Sequence, residues 1–284
     1  MLTLLPFLVS SLVGADTLLV SPAWLSAYVG QPGVVVIHAD RDRTAYDAGH
    51  IAGSQFLALA SIVVERNGIS NELPLVAPLD SVLESVGIGD DTRVIITGDP
   101  LAAGRLFFTL DYLGHGGQVA LLDGGTPAWV EAGFPVAGES APPIRASFTP
   151  KPQLNLLADA EWVQTHLHDS TVALLDARPT ADYAGTPGSS PPSGHIPGAR
   201  NIFWKTTLGG APPALLDRAA LEAMFKAAGA APGDLVVTYC RTGVQASFLY
   251  FVARYLGYET KMYDGSFAEW SQLAGVPIEQ GSGE

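Results

Sequence analysis

D-L-V-V-T-Y-C-R-T-G-V-Q-A-S-F-L-Y-F-V-A-R-Y-L-G, residues 234–257, contains the whole architecture in one pass. A short apolar run rich in β-branched residues, D-L-V-V-T-Y, reads as a buried strand. A long apolar segment, Q-A-S-F-L-Y-F-V-A-R-Y-L-G, reads as a buried helix. Between them lies R-T-G-V-Q, with Gly243 free to adopt backbone angles closed to other residues. Cys240, the only cysteine in the chain, stands where strand gives way to loop. A strand feeding a helix through a tight loop is the unit of an α/β layer with a largely parallel sheet. Open sheets of that kind bind ligands at the carboxyl ends of their strands, where Cys240 falls.

The unit occurs twice. Y-L-G-H (112–115) corresponds to Y-L-G-Y (255–258) at an offset of 143, and L-L-D-G-G-T-P-A-W (121–129) to M-Y-D-G-S-F-A-E-W (262–270) at 141. G-H-I-A-G-S (49–54) corresponds to G-H-I-P-G-A (194–199) at an offset of 145, and V-V-V-I-H-A-D-R (34–41) to V-A-L-L-D-A-R-P (172–179) at 138. Four landmarks in one order describe a duplication of half the chain, and two copies make two domains rather than a solenoid. In each half the order is strand, G-H-I turn, helix (P-L-D-S-V-L-E-S-V-G or R-A-A-L-E-A-M-F-K-A-A-G), strand (T-R-V-I-I-T or D-L-V-V-T-Y), long apolar helix, short strand and a helix with Trp. The Pro-, Ser- and Ala-rich run at 137–152 marks a linker, placed at 139–154 between domains at 16–138 and 155–284.

Composition bounds the function. A net charge of −13 leaves no basic field for phosphates, which argues against nucleic acid as a partner. One cysteine makes neither an intrachain disulfide nor a cysteine-rich zinc site. His166 and His168 alternate on an expected helix and share no face, so no metal and no cofactor is assigned. Residues 1–15, M-L-T-L-L-P-F-L-V-S-S-L-V-G-A, carry no charged side chain and end in small residues. They read as an export signal lacking its basic start, giving a periplasmic or otherwise exported protein, or as an apolar extension of a cytoplasmic one. No other segment is apolar and long enough for stable membrane insertion.

The loop can do chemistry. Its N–H groups can point inward around the sulfur, the following helix start adds partial positive charge, and Arg241 a full one. These predict a thiol pKa at least about one unit below the free value of ~8.5. The bland reading is a cysteine serving as a small buried hydrophobe. Against it stand the position at the strand end and the duplicate half, where an offset of 143 puts Thr97 in its place.

L-L-D-A-R-P (174–179), G-H-I-P-G-A-R-N (194–201), C-R-T-G-V-Q-A (240–246) and Y-D-G-S-F-A-E-W (263–270) together resemble the tandem-domain rhodanese family, the thiosulfate and 3-mercaptopyruvate sulfurtransferases. The resemblance covers everything after residue 16. It implies two rhodanese-like domains, each a mostly parallel sheet flanked by helices, with the first inactive. It implies Cys240 as nucleophile, taking sulfane sulfur from a small anionic donor as a persulfide and passing it to cyanide or a thiol, with a protein acceptor as a further partner. Arg241, Thr242, Gly243, Val244 and Gln245 would then surround the donor. Family members often carry a basic residue where this chain has Asp182, read here as a solvated carboxylate. Arg241, or another base such as Arg200, would take over the donor anion. C-R-T-G-V is closer to the C-R-K-G-V of thiosulfate-preferring members than to C-G-S-G-V, so thiosulfate is the expected donor and 3-mercaptopyruvate the alternative.

The remaining candidates read as follows. His50 and His195 fix their turns, Asp176 orients backbone and Arg178 pairs with a carboxylate. His38 is the counterpart of Asp176. Trp129 and Trp270 pack in the core, and Phe203 and Trp204 line the pocket mouth or pack. A phosphatase of this type needs an arginine six residues after the cysteine, and Ala246 stands there. A persulfide carrier or redox-sensing module without turnover remains the alternative to an enzyme.

Overall fold

The computed structural model describes residues 17–142, 145–188 and 193–281, so the reading of residues 1–15 lies outside the described residues. Two five-stranded sheets form the frame. The first contains β1 (Leu19–Val20), β2 (Val34–Asp40), β3 (Gln55–Ala58), β4 (Arg93–Gly98) and β5 (Val119–Leu122), in the order β1-β5-β4-β2-β3. The second contains β6 (Leu157–Ala158), β7 (Val172–Asp176), β8 (Arg200–Asn201), β9 (Leu235–Tyr239) and β10 (Glu259–Tyr263), in the matching order β6-β10-β9-β7-β8. Every pairing within both sheets is parallel. This is the α/β architecture the sequence predicts.

The duplication extends to single contacts. The indole N–H of Trp129 donates to the Pro135 carbonyl at 2.9 Å, and that of Trp270 to the Pro277 carbonyl at 2.9 Å. His50 stacks on Tyr46 and shares a hydrogen bond between Nδ1 and the Tyr46 carbonyl, as His195 does with Tyr183. Both histidines thus fix their turns, with rings committed to neighbours. The linker is fastened to the first domain: Phe148 is buried, and Lys151 and Gln153 donate backbone N–H groups to the carbonyls of Leu113 and Tyr112.

Two long helices fill the space between the sheets, α1 (Pro100–Tyr112) and α2 (Val244–Leu256). The first starts at Pro100, four residues before the apolar run G-R-L-F-F-T-L-D-Y-L-G (104–114). Asp99 accepts from the N–H groups of Leu101 and Ala102, and Pro100 occupies the first turn, where its missing N–H costs nothing. Gly257, at φ +94°, ends α2. Every residue of α1 from Leu101 to Tyr112 is buried, as befits a helix packed between two domains rather than on one. Phe107 meets Phe251 edge-on at 5.0 Å, Phe108 meets Tyr250 at 5.0 Å, and Asp111 accepts from the Tyr250 hydroxyl and from Arg254.

The helices touch at Gly104. A β-carbon there would lie 2.7 Å from the Phe248 Cα and 2.9 Å from its nitrogen, both backbone atoms that move only if a helix moves. Gly104→Ala is therefore expected to destabilise the protein by roughly 3 kcal/mol, the upper range for overpacking. That corresponds to a fall in Tm on the order of 5–10 °C. An unchanged melting curve would show that the helices have room to spare.

Candidate active site

Cys240 to Gly243 form a four-residue loop between β9 and α2, and the loop is pinned from behind. The Cys240 N–H donates to Ser266 Oγ at 3.2 Å, and the Cys240 and Arg241 carbonyls accept from the N–H groups of Phe267 and Ala268 at 3.0 Å. Ser266 holds a φ of +55°, rare for a residue with a side chain, and its hydroxyl also donates to the Tyr263 carbonyl. With the carbonyls tied back, the N–H groups of Ala246, Thr242 and Gln245 face the sulfur.

Gly243 is required twice over. Its φ is +85°, and a β-carbon would lie 2.8 Å from Asp264 Oδ1 and 3.1 Å from Arg105 Nη1. Those two atoms belong to a brace across the domains. Asp264 accepts from Arg105 Nη1 on α1 through Oδ1 and from the Leu73 N–H through Oδ2, each at 2.7 Å. Asn71, on the hairpin Val64–Arg66/Ile69–Glu72, donates to Thr242 Oγ1 at 3.0 Å. The first domain therefore holds the loop in place.

The loop opens on a cavity of about 210 Å³. Cys240, Arg241, Thr242, Val244, Gln245, Arg178 and Asp182 line it from the second domain, and Arg41, Leu59, Asn71 and Leu101 from the first. Gly243 supports the loop from behind. Arg178 is engaged: its Nε reaches both oxygens of Asp176 at 3.0 Å and its Nη2 the Gly194 carbonyl at 2.7 Å. Asp176 also accepts the Arg178 backbone N–H at 2.9 Å. Arg41 and Arg241 form no side-chain ion pair among the described residues, so they are the cavity's available cations.

The structure corrects three expectations. The Cys240 thiol is not lowered: it is 2 % exposed, and burial pushes its pKa up. The N–H groups of Ala246, Thr242 and Gln245 pull the other way, and the Asp176 charge adds to the rise. Thr97 is not the counterpart of Cys240. Val172 pairs with Leu235 and Val34 with Arg93, which sets Tyr239 opposite Thr97 and Cys240 opposite Gly98. The first domain also has only Asp99 between β4 and α1, so it lacks the cradle as well as the thiol. Arg200 lines a different cavity, with Thr180, Asn201 and Phe203. Of the two readings of Trp204, packing holds: it meets Phe248 edge-on at 5.6 Å. Asp182 is exposed, as expected, yet it stands on the cavity wall.

Sequence reading missed Arg41, Asn71, Arg105 and Asp264. Two signals were present. Arg41 directly follows a parallel strand, at the end where ligands bind. The D-G pair recurs at 123–124 and 264–265, a hint that this turn does the same task in both halves.

Comparison with known proteins places these features in a family. The model of the rhodanese-like domain matches residues 21–132 and again 159–273. A sulfur carrier protein of Thermus thermophilus, TtuD, is 34% identical over 284 residues, covering 93% of this chain and 96% of that protein. A thiosulfate sulfurtransferase of Pseudomonas aeruginosa is 30% identical, covering 92% and 97%. Among solved structures, YnjE superposes with a TM-score of 0.82 at 29% identity, covering 93% of this chain and 68% of that one. The chain belongs to the rhodanese family, with the domain in tandem. It is an enzyme of the sulfurtransferase class. Among the described residues no helix is long and apolar enough to cross a membrane.

Proposed function

We propose that the protein moves sulfane sulfur from thiosulfate to a thiophilic acceptor through a persulfide on Cys240. The observation that carries this reading is the lone cysteine sulfur at the end of β9, faced by one loop N–H group and two from the first turn of α2, inside a cavity with two available cations. The thiolate attacks the outer sulfur of thiosulfate. A new S–S bond forms, the sulfur–sulfur bond of the donor breaks, and sulfite leaves with the electron pair. The persulfide anion that remains is held by the N–H groups of Thr242, Gln245 and Ala246. Cyanide or a thiolate then attacks the terminal sulfur and returns Cys240 as thiolate, a double displacement. The similarity to thiosulfate sulfurtransferases of about 30% identity supports thiosulfate as donor. 3-Mercaptopyruvate is the competing donor, and a side-by-side assay decides between them.

Arg41 and Arg241 are proposed to hold the donor anion, with Asn71 and Thr242 fixing the loop between them. Removing either guanidinium deletes a charge-assisted contact of about 1.5–3 kcal/mol. Arg41→Ala and Arg241→Ala should each lower kcat/KM for thiosulfate roughly 10–100-fold, mostly through KM. An Arg41→Ala enzyme with unchanged KM would remove the first domain from donor binding.

The raised thiol sets the pH dependence. Only the thiolate attacks, and burial keeps the free thiol protonated at neutral pH. The rate of sulfur uptake in a single turnover should therefore climb about tenfold per pH unit above neutrality, levelling off once the thiol is ionised. A flat profile from neutral upward would mean that the thiol is already ionised in the resting enzyme.

The relative named as a sulfur carrier favours a second reading, in which Cys240 keeps the persulfide for a protein acceptor. A long-lived persulfide with negligible turnover to cyanide is its signature.

A further inference from the structure

Four parts surround the Cys240 loop: the end of the central strand, the D-G turn behind the loop, the first turn of the buried helix, and a hairpin from the other domain. All four recur in the first domain. Thr97 and Gly98 end β4, Asp123 and Gly124 make the turn, and Pro100 and Ala103 open α1. The hairpin Leu208–Gly209/Ala214–Leu215 reaches over from the second domain. Even the tie is the same: Asp123 Oδ1 accepts the Leu215 N–H at 3.1 Å, as Asp264 Oδ2 accepts the Leu73 N–H at 2.7 Å. Each domain's hairpin caps the other's cavity.

The first-domain cavity has about 180 Å³ of space and quite different chemistry. Gly98, the counterpart of Cys240, has no room for a side chain, because a β-carbon there would lie 2.2 Å from the Ala39 carbonyl oxygen. The walls are Ile96, Leu121, Phe248 and Phe251. Thr97 and Thr126 spend their hydroxyls on each other at 3.0 Å. The one charged group of the lining is an acceptor, Asp123, whose Oδ2 has no hydrogen bond or ion pair among the described residues. Apolar space of about 150 Å³ is enough to take up benzene. The pocket opens to solvent at the end of the parallel sheet where ligands bind.

We propose that the first domain keeps a binding site of its own, for a small apolar or aromatic molecule with one hydrogen-bond donor directed at Asp123. It performs no sulfur chemistry, and it stands independently of the role given to Cys240. Two of its walls, Phe248 and Phe251, belong to α2, the helix that begins at the sulfur loop, so an occupant touches the active-site helix directly.

Indole is the probe, titrated into the full-length protein while leucine methyl resonances are followed by NMR. The expected result is saturable shifts at Leu121, Leu208 and Leu215, unchanged by excess thiosulfate and lost in Ala214→Trp, which plugs the mouth. Ala103→Leu, which fills the cavity from the helix side, serves if the first variant does not fold. The proposal is overturned if no saturable shift occurs, if thiosulfate displaces indole, or if the folded plugged variant responds like the wild type.

Discussion

The Cys240→Ser protein is expected to fold as the wild type does and to transfer no sulfur. Serine occupies nearly the volume of cysteine, and its hydroxyl can use the same N–H groups of Thr242, Gln245 and Ala246. The melting temperature should therefore stay close to that of the parent. Turnover is another matter, because a hydroxyl at neutral pH is no substitute for a thiolate, and a persulfide needs sulfur. Loss of a nucleophile costs on the order of 10⁴-fold or more in kcat. With thiosulfate and cyanide as substrates, thiocyanate formation should fall to the uncatalysed background. Residual activity within tenfold of the parent would place the nucleophile elsewhere, and the chain has no second cysteine to take its role.

Asp264→Ala is expected to be the most damaging single change to stability. Arg105 is fully buried on α1, and the structure gives it one carboxylate, Asp264, at 2.7 Å. Its Nε and Nη2 already have no partner among the described residues. Removing Asp264 leaves a buried charge uncompensated, a loss of roughly 3–5 kcal/mol. It also frees the Leu73 N–H and the space behind Gly243, so the sulfur loop loses its support together with the domain contact. Denaturant unfolding should show the drop in stability. Asp264→Asn, whose single Oδ1 can accept from Arg105 or from Leu73 but not from both as the two carboxylate oxygens do, should recover only part of it. If Asp264→Ala were as stable as the parent, the brace between the domains would carry no weight, and the loop would be held by Ser266 and its neighbours alone.

These two residues also mark what a sequence reveals and what it conceals. The duplication, the parallel sheets and the place of Cys240 could be read because each is written locally, as apolar runs of strand or helix length and a glycine loop between them. The brace could not. Asp264 and Arg105 are 159 residues apart, and nothing in either stretch announces the other. The thiol pKa failed for a related reason. The loop alone promises stabilised negative charge, but Leu59 and Leu101 of the first domain help close the cavity, and burial wins. Thr97 falls one residue short because the offset of 143 comes from landmarks at the end of the long helix. The strand register requires 142 and the helix starts require 144, a consequence of the two residues missing from the first domain's loop. Arg41 escapes the sequence reading because a domain without a nucleophile is expected to supply packing and part of the cleft wall, not a charge for the donor, although its strand end faces the same cavity.

The most direct test of the account is the intact mass of the purified protein after thiosulfate is added and then removed. The account predicts a gain of one sulfur atom, located on Cys240 by peptide mapping, absent in Cys240→Ser, and discharged by cyanide with formation of thiocyanate. A protein that turns over thiosulfate and cyanide without ever carrying that extra sulfur would contradict it.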